Sequence, residues 1–238
     1  MSLLEIRNVT KTFGGLVALN GMNVVIEEGK IYGLIGPNGA GKTTLFNIAS
    51  GFYKPDSGVI FFAGENVTHL ESHELCARGL ARTFQIPKMF PEMSVIDNVL
   101  IGALSRTRAV KPARSEAEEI VSFLGMTEKK DILAGSLTVQ DLKRLEIAKA
   151  LATKPKLLLL DEPMAGMNPV ELNQMIDLLK RVHGSSTALF VVEHVMHAVV
   201  NLCDHVMVMD SGQKIVEGRP RDVLENEEVI KIYLGEED

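Results

Sequence analysis

The stretch that narrows the possible folds most is "LIGPNGAGKTTLFNIASG", residues 34–51. An apolar run at 31–35 gives way to Gly36, Pro37, Asn38, Gly39, Ala40 and Gly41, then to Lys42, Thr43, Thr44 and an apolar helical pattern. Glycine inside regular elements costs about 0.5–1 kcal/mol relative to alanine, so such a cluster needs a reason. Gly36-x-x-x-x-Gly41-Lys42-Thr43 fits a phosphate-cradling loop, and it stands where that loop belongs, between a strand and a helix. Backbone N–H groups of the turn converge on anionic oxygens, and the new helix adds its positive end. Lys42 then reaches the β- and γ-phosphates as a point charge, and the Thr43 hydroxyl ligates magnesium. An ordinary glycine-capped turn explains the glycines but not the lysine and threonine that follow them. The expectation is a nucleotide site.

Composition sets the outer limits. With 238 residues and 46% hydrophobic content, the chain can bury a sizeable core. No apolar run approaches the ~18 residues of a membrane span; "TALFVVEHVMHAVV" is broken by Glu193, His194 and His197. The start, "MSLLEIRN", lacks the basic and apolar regions of a secretion signal, and two distant cysteines, Cys76 and Cys203, fit a reducing cytosol. A net charge of −6 argues against general nucleic-acid binding. One local exception runs from residue 78 to 114, where seven Lys or Arg stand against Glu92 and Asp97. It reads either as a solvated basic face or as a surface for anionic lipid or a membrane partner.

Along the chain, "LLEIRNV", "MNVVIEE", "KIYGLIG" and "GVIFFAG" read as strands, with a helix at about 42–50 between them and a turn at "KPDSG". Helical spacing takes over in "SVIDNVLIGAL" and "SEAEEIVSFLG", with Pro87, Pro91 and Pro112 expected at the breaks. Residues 139–153 read as a helix with Leu142, Leu145, Ala148 and Leu151 on one face. "KLLLLDEP" is apolar at consecutive positions, as a parallel strand covered on both faces requires. A helix at 170–183, a strand at 187–192, a helix at 195–202 and strands at 205–209 and 213–217 follow. The whole reads as one α/β nucleotide-binding domain, 1–238, with a helical insertion at about 86–152.

The second chemical half is "LLLLDEP". Asp161, ending a buried strand, suits magnesium beside Thr43. Glu162, turned elsewhere by strand alternation, suits a general base that polarises water. His194 follows another apolar strand, where parallel sheets deliver ligand-facing residues, and can hydrogen-bond the γ-phosphate or hold the water and Glu162. Gln85, in "RTFQIP", is either a surface amide or a bridge to magnesium and water. Phe13, in "KTFGG", either packs in the core or stacks on a base.

Phe13, the 36–43 loop, Gln85, "LLLLDEP" and His194, in this order, resemble the ATP-binding subunit of an ABC transporter. "RTFQIPKMFPEMSVIDNVL", "LKRLEIAKALATKPKLLLLDEPMAGMNP" and "GQKIVEGRPRDVLENEEVIKIYLG" resemble its branched-chain amino acid importer branch. The resemblance implies a P-loop ABC ATPase core with a mixed sheet and flanking helices, an N-terminal antiparallel β subdomain and the helical insertion. It implies ATP and Mg2+ as ligands, with Thr43, Gln85 and Asp161 around the metal and Lys42, Glu162 and His194 serving hydrolysis. It also implies two such subunits joined head to tail, integral-membrane permease partners, an indirect substrate-binding protein, and a cytoplasmic place on the inner face of the membrane. Each nucleotide then meets the partner's signature loop, usually Leu-Ser-Gly-Gly-Gln. Here that loop is Leu137-Thr138-Val139-Gln140-Asp141, which keeps a hydroxyl at Thr138 but puts Val139 and Gln140 in place of glycines. Asn168 stands where the family usually has aspartate. The rival readings are an ABC lipid exporter's ATPase and a soluble ABC ATPase acting on DNA or ribosomes. The second should show coiled-coil arms, a zinc module or two cassettes, and none is present.

Overall fold

A computed structural model describes residues 1–234. The chain runs β1 (Ser2–Phe13), β2 (Leu16–Glu27), β3 (Ile31–Ile35), α1 (Lys42–Ala49), β4 (Ser57–Phe62), β5 (Glu65–Asn66), α2 (Ser72–Arg78) and β6 (Leu80–Arg82). The helical part follows as α3 (Val95–Leu104), α4 (Val110–Phe123), two short 3-10 turns and α5 (Val139–Leu151). It returns through β7 (Leu157–Asp161), α6 (Pro169–Gly184), β8 (Ala188–Val192), α7 (Met196–Leu202), β9 (His205–Asp210), β10 (Gln213–Gly218), α8 (Pro220–Leu224) and α9 (Glu227–Leu234).

The strands form two sheets. An antiparallel one has the order β2-β1-β4-β5, and a mixed one the order β10-β9-β3-β8-β7-β6. In the mixed sheet β3 lies parallel to β8 and β9, β7 parallel to β8 and β6, and only β10 runs antiparallel. The consecutive leucines of β7 show why such a strand cannot alternate with polar residues. Leu157 and Leu159 join the core under the antiparallel sheet, while Leu158 and Leu160 join the core under the helices. β8 splits the same way, with Phe190 on one side and Leu189 and Val191 on the other. Burying each such side chain contributes roughly 1.5–3 kcal/mol. Because β3, β7 and β8 point the same way, their C-terminal ends bring residues 36–44, 161–162 and 193–194 to one edge.

Two local expectations change, and the basic segment gains detail. Pro112 does not break a helix: it is the third residue of α4, in the first turn, where its missing N–H has no intrahelical acceptor to lose. On α5, Leu145 and Ala148 are buried but Leu142 and Leu151 only half so, and the buried face also carries Asp141, Lys143 and Glu146. The basic segment is largely paired within the chain, through Arg78–Glu65, Arg82–Asp161, Arg106–Glu116 and Arg114–Asp97. No helix among the described residues is long and apolar enough to cross a membrane.

Candidate functional site

The phosphate loop leaves β3 at Gly36, where a side chain is impossible: a Cβ there would stand 2.1 Å from the Met209 carbonyl oxygen. Gly41, at φ 98°, is the N-cap of α1, and a Cβ on it would stand 2.5 Å from the Ala18 carbonyl. A glycine N-cap supplies no side-chain acceptor, and the first turn of α1 holds no acidic residue. The first N–H groups of a helix have no intrahelical partners, so this end is left open to an anion. Lys42 is nearly buried, and its Nζ donates to the Gly36 and Pro37 carbonyls at 2.7 and 2.8 Å. Burial pulls the Lys42 pKa down, and the carboxylates of Glu162 and Asp161 oppose this.

Phe13, Asn38, Gly39, Ala40, Gly41, Lys42, Thr43, Thr44, Gln85, Glu162 and His194 line one cavity of about 620 Å3. Phe13 is not a core residue: it is 41% exposed, with its ring edge-on to Tyr53 at 5.3 Å between centroids. Asp161 lies deeper. It is buried, and Oδ2 accepts a hydrogen bond from Arg82 at 3.2 Å. Burial raises its pKa and the Arg82 guanidinium opposes the rise.

Within this lining the two oxygens of one carboxylate are held by different partners. Gln85 Nε2 donates to Glu162 Oε2 at 2.9 Å, and His194 Nε2 lies 2.9 Å from Glu162 Oε1. The Glu162 side chain does not diverge from Asp161 by strand alternation, as expected, because β7 has already ended at Asp161. Glu162 instead adopts a left-handed backbone at φ 49°, and its amide donates to the Val192 carbonyl at 3.0 Å. A β-carbon at positive φ just before a proline is strained, which is common where geometry serves function.

Two residues that the sequence reading left without a role keep this loop in place. Glu193 is buried; its Oε1 accepts the Met164 amide at 2.8 Å and Oε2 the His194 amide at 3.1 Å. It thereby joins the ends of β7 and β8, and burial raises its pKa. Lys143, on α5, donates to the carbonyls of Glu162 at 3.2 Å and Ala165 at 2.7 Å. An acid ending the apolar run directly before His194 was the one signal available for Glu193. For Lys143 there was none, since lysine on a helix ordinarily reads as solvated.

Leu137, Thr138, Val139 and Gln140 are not part of this cavity. Thr138 caps α5, accepting the Asp141 amide at 3.2 Å and donating to Asp141 Oδ2 at 2.7 Å. Asp141 also forms an ion pair with Lys129 at 2.6 Å, which compensates its charge at this loop. Val139 is 69% exposed. Asn168 caps α6, accepting the amides of Val170 and Glu171 at 3.0 Å. A second cavity, about 650 Å3, lies between the core and the helical part, lined among others by Phe52, Phe84, Pro87, Met89 and Phe90. Met93, close in sequence to Met89 and Phe90, does not line it.

The ABC transporter family model matches residues 19–165, and a branched-chain amino acid ATP-binding cassette transporter model matches residues 213–238. A high-affinity branched-chain amino acid transport ATP-binding protein, BraF, of Pseudomonas aeruginosa is 37% identical over 98% of each chain. A probable branched-chain amino acid transport ATP-binding protein, LivG, of Archaeoglobus fulgidus is 39% identical, covering 100% of this chain and 97% of the relative. Among solved structures, a nucleotide-free ATP-binding cassette from an ABC transporter matches with a TM-score of 0.90 at 34% identity, covering 99% of this chain and 100% of that one. A cassette of an ABC transporter in an ADP conformation matches with the same score, identity and coverage.

Proposed function

The chain belongs to the ABC transporter family as an ATP-hydrolysing cassette, and on that premise we propose that it is the energy-coupling subunit of a branched-chain amino acid importer. One observation carries the chemistry: both oxygens of Glu162 are held, by Gln85 and His194, in the lining of the phosphate-loop cavity. A carboxylate so fixed accepts a proton from a water placed between it and the γ-phosphate, without first paying to orient itself. Lys42 and the N–H groups opening α1 meet the phosphate charge, and Phe13 offers a face to the adenine.

The donor set fits magnesium. Thr43, the Gln85 amide oxygen and Asp161 are oxygen donors, and no cluster of three His, Cys, Asp or Glu able to hold a metal by itself occurs among the described residues. Magnesium binds proteins in this sparse way, through one or two carboxylates together with substrate phosphates. When bound, it would neutralise charge on the β- and γ-phosphates.

The relatives support the cargo, and the assembly proposed is two cassettes on permease subunits. Both named proteins act in branched-chain amino acid transport, and the family-specific model falls on the chain's end. Two cassettes pairing head to tail would bring the partner's signature loop to this phosphate loop. The groove holding Phe84, Met89 and Phe90 would receive a cytoplasmic helix of a permease subunit, holding the chain at the inner membrane face. Cysteines placed there should crosslink to that subunit. Crosslinking only through β9 and β10 would refute the placement. A substrate-binding protein would act through the permease, and no nucleic acid is involved.

Glu162→Gln tests the base. It should leave ATP affinity within about three-fold while lowering turnover at least a hundred-fold, since general-base catalysis is worth about 10²–10⁴. Turnover near wild type would sink the assignment.

A further inference from the structure

Helix α5 buries three charged side chains, Asp141, Lys143 and Glu146, the last two 8% and 7% exposed. Lys143 holds the carbonyls around Glu162. Glu146, one turn further along the same helix, holds a different loop. Its Oε1 accepts hydrogen bonds from the amides of Phe84 and Lys88, both at 3.1 Å. These two residues flank Gln85 on either side. No other backbone amide of residues 84–88 bonds to the protein among the described residues. Lys149 adds a bond to the Lys88 carbonyl from the following turn. Phe84, Gln85 and Ile86 are themselves exposed, so apolar packing does not fix this loop. The Gln85 side chain nonetheless meets Glu162 at hydrogen-bond distance.

We propose that Glu146 is a positioning residue for hydrolysis, fixing the Gln85 loop through the Phe84 and Lys88 amides so that the Gln85 amide holds the Glu162 carboxylate. One helix then aligns both partners of the Gln85–Glu162 bond, Glu162 through Lys143 and Gln85 through Glu146. The same helix begins at Thr138, so any shift of the signature loop moves both supports together. Burial pushes the Glu146 carboxyl up and the two amides oppose it, as expected of an acceptor held inside. This inference rests on Glu162 acting on water, as above.

The test is a mutant cycle in the full-length chain, reading kcat, KM and equilibrium ATP binding. Glu146→Met matches the side chain's length but offers the amides no oxygen. Glu146→Gln keeps a carbonyl oxygen for them. Glu146→Met should lower kcat about ten-fold with ATP affinity changed less than about two-fold, and Glu146→Gln should stay within about three-fold of wild type. In a Gln85→Ala background Glu146→Met should cost less than about two-fold, because the group it positions is gone. Equal losses in both backgrounds, or a fall in affinity matching that in kcat, would overturn the proposal. If Glu146→Met does not fold, Glu146→Asp, whose shorter side chain withdraws the oxygen, takes its place in the cycle. Glu162→Gln run alongside separates the two ideas: wild-type turnover there removes the base itself, whatever the cycle gives.

Discussion

Two helices in this molecule begin at loops proposed to meet phosphate, and they are finished in opposite ways. α1 begins at Gly41 with no side-chain cap and no acid in its first turn. α5 begins at Thr138 with its cap made, an acid in the first turn, and that acid paired to Lys129. The first end leaves its N–H groups and its dipole for an incoming anion. The second spends one first-turn amide, that of Asp141, on its own Thr138 hydroxyl, and places a carboxylate in its first turn. The difference teaches that the end of α1 is built open to an anion, while the end of α5, proposed to face a partner's nucleotide, is partly occupied by its own cap and acid. Val139 and Gln140, standing where glycines would let backbone approach a phosphate, act in the same direction.

The largest expected effect comes from disarming the open end. Lys42→Ala removes the one charge lodged in the loop. Charge-assisted hydrogen bonds are worth about 1.5–3 kcal/mol, so ATP affinity should fall roughly ten- to a hundred-fold by titration calorimetry. An unchanged affinity would mean that α1 and the glycines suffice without the lysine, and the contrast between the two ends would weaken.

A smaller effect should appear at the closed end. Burial pushes the Asp141 carboxyl up, but hydrogen bonds from Lys129 and Thr138 outweigh it and hold the pKa below the usual value. A carboxylate depressed on folding contributes stability that is present above its unfolded pKa, about 3.9, and is lost as pH falls through the lower folded value. Thermal melts of wild type and Asp141→Asn should therefore differ by a few degrees at pH 6, with the gap starting to narrow below about pH 4 and closing as the pH falls further. A constant gap down to pH 3 would show that Asp141 acts by shape and not by charge.

The sequence made these two ends unequally legible. Gly36 to Thr44 could be read because a glycine cluster with a lysine has few other physical explanations. The four leucines of β7 could be read because only a strand covered on both faces tolerates such a run. What escaped were contacts that join residues distant in sequence. The turn at Glu162 depends on a bond to the Val192 carbonyl, and Glu193 links two strand ends through amides. Lys143 and Glu146 sit on α5 at positions where charge ordinarily means solvent. They point inward only because the loops after β6 and β7 lie beneath them. Likewise, nothing in "LTVQD" announces that Lys129 compensates Asp141, since that pairing depends on how the preceding turn folds back.

The most direct measurement compares ATP turnover of this chain alone, with its permease partners, and with a second cassette bearing a glycine-containing signature. A preorganised donor to a transition-state anion is worth about 2.7–4 kcal/mol, so even a partial misfit slows turnover ten-fold or more. The account predicts a slow chain alone and at least a ten-fold rise when the second cassette joins, the rise disappearing with Glu162→Gln in this chain. Full transport-coupled turnover with the permease partners and this chain alone would contradict it, showing that the end of α5 opens to a phosphate after all.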